Sequence, residues 1–378
     1  MILTYTVRTV IPMSDEIRPF RIDIPQADLD DLHDRLARTR WGASLPGDGW
    51  ERGVPVAFMR ELAEYWRTGF DWRAQEARFN GFPQFVTEID GYDVHFLHVR
   101  SDDPEALPVL LAHGWPNSFV EFARLVRPLT ERGFHVVVPT IPGVGFSAAP
   151  RETGWDAARL ARMWNELMRR LGYERYGVEG GDFGAYVAPA MAEDAPENVT
   201  GVYVISGLGF PTEKDVPDML PDEKAQYDLM QRWMGSEVLD HHHVNRVAAR
   251  TFGYGWADSP VAALAWMTHK FQDFATGSFD AVDRDLFLAN VSLYWFTRSF
   301  ATASWPYHGE RGDMVWPQGQ KAVPSGTYSG PPGIRRLAER TNEIVHWGKG
   351  NPGSHHFVAM EEPDAVAADM RLFFDKVR

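Results

Sequence analysis

The feature that most constrains this chain is Gly180-Gly181-Asp182-Phe183-Gly184, set between a short β-type run, Tyr176 to Glu179, and a helical stretch. Small residues around one functional side chain let a strand turn sharply into a helix and push that side chain out at the turn. The neighbouring sequence has the rhythm such a turn needs. Pro108 to Ala112 is a short apolar run ending at His113-Gly114, and Phe134 to Val138 is another, ending at Pro139 and Pro142-Gly143-Val144-Gly145. A helix fits Trp155 to Leu171, and Val202 to Ser206 is again apolar and β-branched. Short strands alternating with helices predict a parallel sheet in an α/β fold.

Ahead of this block, residues 27 to 40 read as a helix, with Leu29, Leu32, Leu36 and Trp41 at near-helical spacing, and a second helix fits Val56 to Phe70. Phe85 to Val99 alternates around Asp90-Gly91, which predicts a hairpin. Residues 211 to about 310 are helical and rich in Trp and Tyr, with no clear strand; the alternation returns at Lys321 to Val323 and Ile344 to Trp347, and a last helix starts at Glu362. The expected organisation is an N-terminal extension with the start of the sheet over 1–100, core over 101–210, a helical lid over 211–310 inserted between the fifth and sixth strands, and core again over 311–378. Ligands in open α/β sheets bind at the carboxyl ends of the strands, so such an insertion would roof the site.

An aspartate at the elbow dictates a particular chemistry. A carboxylic acid of pKa about 4 is already ionised at neutral pH, so it needs no base before it attacks. It is a weak nucleophile, suited to displacing a good or strained leaving group on an sp³ carbon, and the product is an ester on the enzyme. Cleaving that ester calls for a base to activate water and N–H donors for the oxyanion. His356, after the last apparent strand, fits the base; the backbone N–H groups of Phe183 and Trp115 fit the donors. Alone, each has an ordinary reading: an aspartate capping a helix, a surface histidine, a turn. Each at a strand end, in this order, they point to catalysis.

Composition narrows the setting. Among 378 residues, 44% are hydrophobic and 24% charged, which excludes a disordered or collagen-like chain. A net charge of −14 disfavours binding to nucleic acid or to an anionic membrane surface. With no cysteine there are no disulfides, thiolate metal sites or cysteine nucleophiles. No stretch approaches the roughly 20 apolar residues of a membrane helix. Met1 to Met13 reads as an extended or disordered start, not a signal peptide, and the default expectation is a cytoplasmic protein.

The chain resembles the microsomal-type epoxide hydrolases, α/β-hydrolases with an N-terminal extension, over nearly its full length. The resemblance is carried by Arg18-Pro19-Phe20, Trp66 to Trp72, His113-Gly114-Trp115-Pro116, Pro142-Gly143-Val144-Gly145-Phe146-Ser147, Gly181-Asp182-Phe183-Gly184, Asp258-Ser259-Pro260, Leu293-Tyr294-Trp295, His356-Phe357 and Met360-Glu361-Glu362-Pro363. It implies an α/β-hydrolase fold, with a mostly parallel sheet and helices on both faces. It also implies Asp182 as nucleophile, His356 as base, and Tyr307 as one of two lid phenols that hydrogen-bond the epoxide oxygen.

Three positions depart from the family pattern. The third triad member, an acid, falls on Gly333; Glu339, Glu343 and Asp313 are the nearby carboxylates that could replace it. The second lid phenol falls on His241, the first of three consecutive histidines, which could donate as an imidazolium; Tyr227 and Tyr254 are the alternatives. His355 stands where the family usually has glycine, beside His356. Adjacent histidines do not converge on one ion, so no metal is expected, and no cofactor either. The leading reading is hydrolysis of a bulky apolar epoxide, through an ester on Asp182, to a vicinal diol. Trp233, Trp256, Trp266, Trp295 and Trp305 in the lid favour an apolar ligand. The alternatives are non-hydrolytic opening or rearrangement of an epoxide in a specialised biosynthetic pathway, or a degenerate homologue that only binds a ligand. A dehalogenase is weakened by Phe183, where a halide-binding Trp is typical. The expected partner is a small-molecule epoxide, and a homodimer is compatible with the chain.

Overall fold

The computed structural model describes residues 15–44, 46–47, 49–205, 208–234, 241–274, 279–308, 319–328, 333–349 and 356–378. Met1 to Met13, Asp313 and His355, for which the sequence carries expectations, lie outside these residues, and the side chain of Trp233 is not described.

The described strands form one nine-stranded sheet: β1 (Ile17–Phe20), β2 (Gln84–Ile89), β3 (Tyr92–Val99), β4 (Leu107–Ala112), β5 (Phe134–Pro139), β6 (Tyr176–Gly181), β7 (Val199–Ile205), β8 (Pro324–Tyr328) and β9 (Glu343–Trp347). Their order is β1-β2-β3-β5-β4-β6-β7-β8-β9. The β1–β2, β2–β3 and β3–β5 pairs are antiparallel, and all others are parallel. The β2–β3 hairpin turns on Asp90 and Gly91 at φ 53° and 78°. Both residues are left-handed, as a two-residue turn matching the strand twist requires.

Helices α1 (Gln26–Ala37), α2 (Val56–Thr68) and α3 (Trp72–Phe79) precede the hairpin. Leu29, Leu32 and Leu36 of α1 are buried on one face, each such side chain contributing about 1.5–3 kcal/mol. Helix α4 (Val126–Thr130) lies between β4 and β5; α5 (Ala157–Arg170) precedes β6 and α6 (Gly184–Asp194) follows it. Asp156 caps α5 by accepting the Arg159 N–H at 2.7 Å, and Leu160, Met163, Trp164 and Leu167 turn inward. Among the described residues five α-helices stand between β7 and β8: α7 (Pro221–Met234), α8 (His241–Val247), α9 (Ala249–Asp258), α10 (Pro260–Phe274) and α11 (Arg284–Thr297). The chain closes with α12 (Arg335–Ala338), α13 (Val358–Glu361) and α14 (Pro363–Val377).

Helix α14 packs on the floor of the sheet through Phe373 and Phe374. Gly177, Gly201 and Gly326, on β6, β7 and β8, leave room for those rings; a Cβ at any of them would lie 2.2–2.8 Å from a ring atom. Two expectations are corrected here. The strand expected at Lys321 to Val323 lies at Pro324–Tyr328 instead. Its residues look like a turn, but Ser325 and Thr327 are buried and the Thr327 hydroxyl donates to Val204 O at 2.9 Å, so tertiary pairing overrides local pattern. The helical insertion falls between the seventh and eighth strands, because β1 carries no alternation long enough to read and the hairpin supplies two strands.

Candidate active site

The elbow between β6 and α6 holds Asp182 at φ 53°, a left-handed conformation that a non-glycine residue keeps only under local constraint. The constraint is contact on every side. A Cβ on Gly180 would meet Gly184 O at 2.2 Å, one on Gly184 would meet Ala112 O at 2.0 Å, and one on Gly114 would meet Asp182 Oδ1 at 2.3 Å. Thus the glycines of the motif bring β4, β6 and α6 together, and Gly114 lets the next loop close over the carboxylate.

That loop delivers a donor: the Trp115 N–H reaches Asp182 Oδ1 at 2.9 Å. Among the described residues no hydrogen bond joins the Phe183 N–H to this carboxylate. The loop is held from two sides. His113 Nε2 accepts the Ile141 N–H at 3.0 Å, so its proton sits on Nδ1, which faces Gly114 O at 3.2 Å. Burial lowers its pKa to about 4 and keeps it neutral. From α11, Asn290 Nδ2 donates to Pro116 O at 2.9 Å and the Tyr294 hydroxyl to Asn117 O at 2.7 Å. Trp66 of α2 in turn donates to Ser292 at 2.9 Å, so the N-terminal helices brace the helix that braces the loop. Sequence reasoning missed Asn290; its signal is a polar residue inside the apolar run 286–296.

His356 Nε2 lies 3.5 Å from Asp182 Oδ2. Burial pushes its pKa below the ordinary value, while Asp182 and Glu361 oppose that. A neutral imidazole results, able to take a proton. The adjacent Phe357 stacks on Phe271 of α10, with ring centres 4.2 Å apart, and anchors the position.

Tyr307 sits on a 3-10 turn, Thr302–His308, with its ring edge-on to Trp115 at 6.1 Å. Burial first, then Asp182, drive its pKa well above the usual tyrosine value. Its hydroxyl therefore stays protonated and can donate. The turn is fastened to the Pro142-Gly143-Val144-Gly145 loop: Trp305 Nε1 donates to Pro142 O and the Thr302 hydroxyl to Gly143 O, both at 2.6 Å.

His241 is 95% buried, its ring stacked on Trp115 at 5.1 Å with 10° between planes. The structure therefore corrects the imidazolium expectation. Burial, followed by His242, Lys270 and His356, lowers its pKa well below the ordinary value, so His241 is neutral. Tyr254 is 74% exposed on α9, and among the described residues no contact joins it to Asp182. Tyr227 is buried on α7 with the Lys224 ammonium 5.3 Å above its ring; among the described residues no contact joins it to Asp182 or Tyr307. Glu339 is exposed and paired with Arg335 at 2.8 Å, and Glu343 is exposed at the start of β9. Neither contacts His356, and Gly333 is buried without a side chain to offer. Among the described residues no cluster could hold a metal ion.

Two buried carboxyls escaped the sequence reading. Glu121, in the turn Phe119–Phe122, has its pKa pushed up to about 8 by burial and by Asp182, with Asn117 opposing. Glu179, three residues before Asp182 on β6, is fully buried with neither carboxyl oxygen hydrogen-bonded. Burial and Glu121 raise its pKa well above the ordinary value. Both are uncharged at neutral pH.

Residues 17–122 match the family described as epoxide hydrolase N terminus, and residues 108–308 match the alpha/beta hydrolase fold. A protein of Stigmatella aurantiaca (strain DW4/3-1), provisionally named an epoxide hydrolase, is 38% identical over 96% of this chain and 86% of its own length. Epoxide hydrolase 1 of Oryctolagus cuniculus is 30% identical over 96% of this chain and 90% of its own. The chain belongs to the microsomal-type epoxide hydrolase family. The solved structure of Aspergillus niger epoxide hydrolase superposes with a TM-score of 0.85 at 29% identity, covering 97% of this chain and 98% of that one. This epoxide hydrolase is thus an enzyme with the α/β-hydrolase fold. No helix among its described residues is long and apolar enough to cross a membrane.

Proposed function

We propose that the chain opens a bulky, apolar epoxide through a covalent ester on Asp182 and hydrolyses that ester, with water activated by His356, to a vicinal diol. The observation that carries this reading is one carboxylate held between a donor and a base. Trp115 N–H lies 2.9 Å from Oδ1 and His356 Nε2 3.5 Å from Oδ2, with the protonated Tyr307 ring nearby. In the first step an Asp182 oxygen bonds to a ring carbon, the C–O bond breaks, and the Tyr307 proton passes to the oxygen that leaves. In the second step His356 takes a proton from water and the hydroxide adds to the ester carbonyl. The Trp115 and Phe183 N–H groups are suited to stabilise the oxyanion. The aromatic surround, with Trp115, Trp266 and Trp256 in successive contact, supports an apolar substrate. A cytoplasmic setting belongs to the same reading.

The test is a single turnover in oxygen-18 water. Ester hydrolysis puts the label on Asp182 and leaves first-turnover diol unlabelled; label in that diol would mean direct attack by water. A second reading, opening of the epoxide without hydrolysis, is favoured by Gly333 at the acid position and by the outward placement of Glu339 and Glu343. In that case the product gains no oxygen from water in any turnover.

A further inference from the structure

Asn245 is completely buried on α8, one helical turn from His241, yet neither Oδ1 nor Nδ2 has a hydrogen-bond partner. A buried carboxamide without partners carries its full desolvation penalty, so its retention asks for a reason. Positions four apart share a helix face, and His241 on that face stacks on Trp115, the residue that holds the nucleophile. Helix α8 packs on the 3-10 turn that carries Tyr307, and the Asn245 carboxamide favours the ionised form of that phenol. The other groups facing this phenol are Asp182 on the elbow, Tyr294 on α11, Tyr186 on α6, and the His241 and His242 rings on α8. The anionic and phenolic members of this set oppose a tyrosinate, and the two imidazole rings meet the phenol ring in T-shaped contacts.

We infer that Asn245 is a positioning residue for epoxide opening: its Nδ2–H engages the Tyr307 oxygen as that oxygen gives up its proton. This rests on the two-step reading above. As the epoxide C–O bond breaks, its electron pair stays on oxygen and takes the Tyr307 proton, leaving a phenolate. The phenolate is a stronger acceptor than the phenol, so a contact too loose to count as a hydrogen bond at rest tightens in the transition state. After hydrolysis, the carboxylic acid left on Asp182 returns a proton to the phenolate, the diol oxygen having taken its proton from His356. Asn245 itself neither gains nor loses one.

The experiment is a double-mutant cycle read on the alkylation step alone, in the His356→Ala background where the ester accumulates. The probe is whichever of styrene oxide and stilbene oxide the wild-type enzyme consumes faster. Asn245→Leu should slow adduct formation roughly 10–100-fold, the range for a hydrogen bond to a charged group. With Tyr307→Phe already in place it should cost nothing further, because the oxygen it serves is gone. Asn245→Gln should recover part of the rate. Asn245→Asp, which keeps the shape, repeats the cycle if the leucine variant does not fold. Unchanged alkylation, or an equal loss with and without the Tyr307 hydroxyl, overturns the inference. Absence of any adduct on Asp182 in the parent background would instead overturn the two-step reading itself.

Discussion

Replacing Glu121 with Gln should raise stability at alkaline pH and leave it nearly unchanged in acid. The native carboxyl titrates at about 8, against an ordinary 4.5. Between those values the folded chain holds a proton that the unfolded chain has released. Its contribution is therefore full below pH 4.5 and is lost as pH rises toward 8. Each pH unit in that window is worth about 1.4 kcal/mol, so the wild-type enzyme should forfeit on the order of 3–5 kcal/mol by pH 9. Glutamine keeps the shape and carries no titrating proton. Urea unfolding of both proteins at pH 5, 7 and 9 measures the difference directly. The Glu121→Gln advantage should grow with pH on that scale. A constant offset across the three pH values would mean that Glu121 ionises normally in the native state, and the neutral-carboxyl description of the elbow would be wrong.

Tyr307→Phe removes one hydroxyl and should slow ester formation by ~10²–10³, with ester hydrolysis unchanged; rapid-quench measurement of the two steps separates them. Gly114→Ala would put a Cβ 2.3–2.6 Å from the Asp182 carboxyl and Cβ. It should abolish turnover while circular dichroism still reports a folded protein; retained activity would show that the loop can retreat without losing the Trp115 donor.

Much of the site was readable because its constraints are local. An elbow needs glycines at fixed offsets from one side chain, and those offsets survive in the linear sequence. The loop after Pro139 is legible for the same reason. What supports these motifs is not local. Asn290 and Tyr294 act on Pro116 and Asn117 across more than a hundred and seventy residues, and nothing in the helix announces that partner. Charge states were the least legible feature. His241 is open to reading as a cation because an isolated imidazole titrates near neutrality, but burial, followed by His242, Lys270 and His356, lowers its pKa and keeps it neutral. Glu121 and Glu179 look like ordinary acids until burial is known. Strand β8 was displaced because buried Ser325 and Thr327 resemble turn residues, and only their pairing with β7 makes them a strand.

The central claim is that Asp182 attacks and His356 releases. Intact-mass analysis of the His356→Ala variant, after incubation with an epoxide that the wild-type enzyme consumes, tests it most directly. A carboxylate needs no base to attack, so the variant should gain the mass of one substrate molecule, with the modified peptide mapping to Asp182. A folded His356→Ala protein that remains unmodified while the wild type turns over the same epoxide would contradict the division of labour between the two residues.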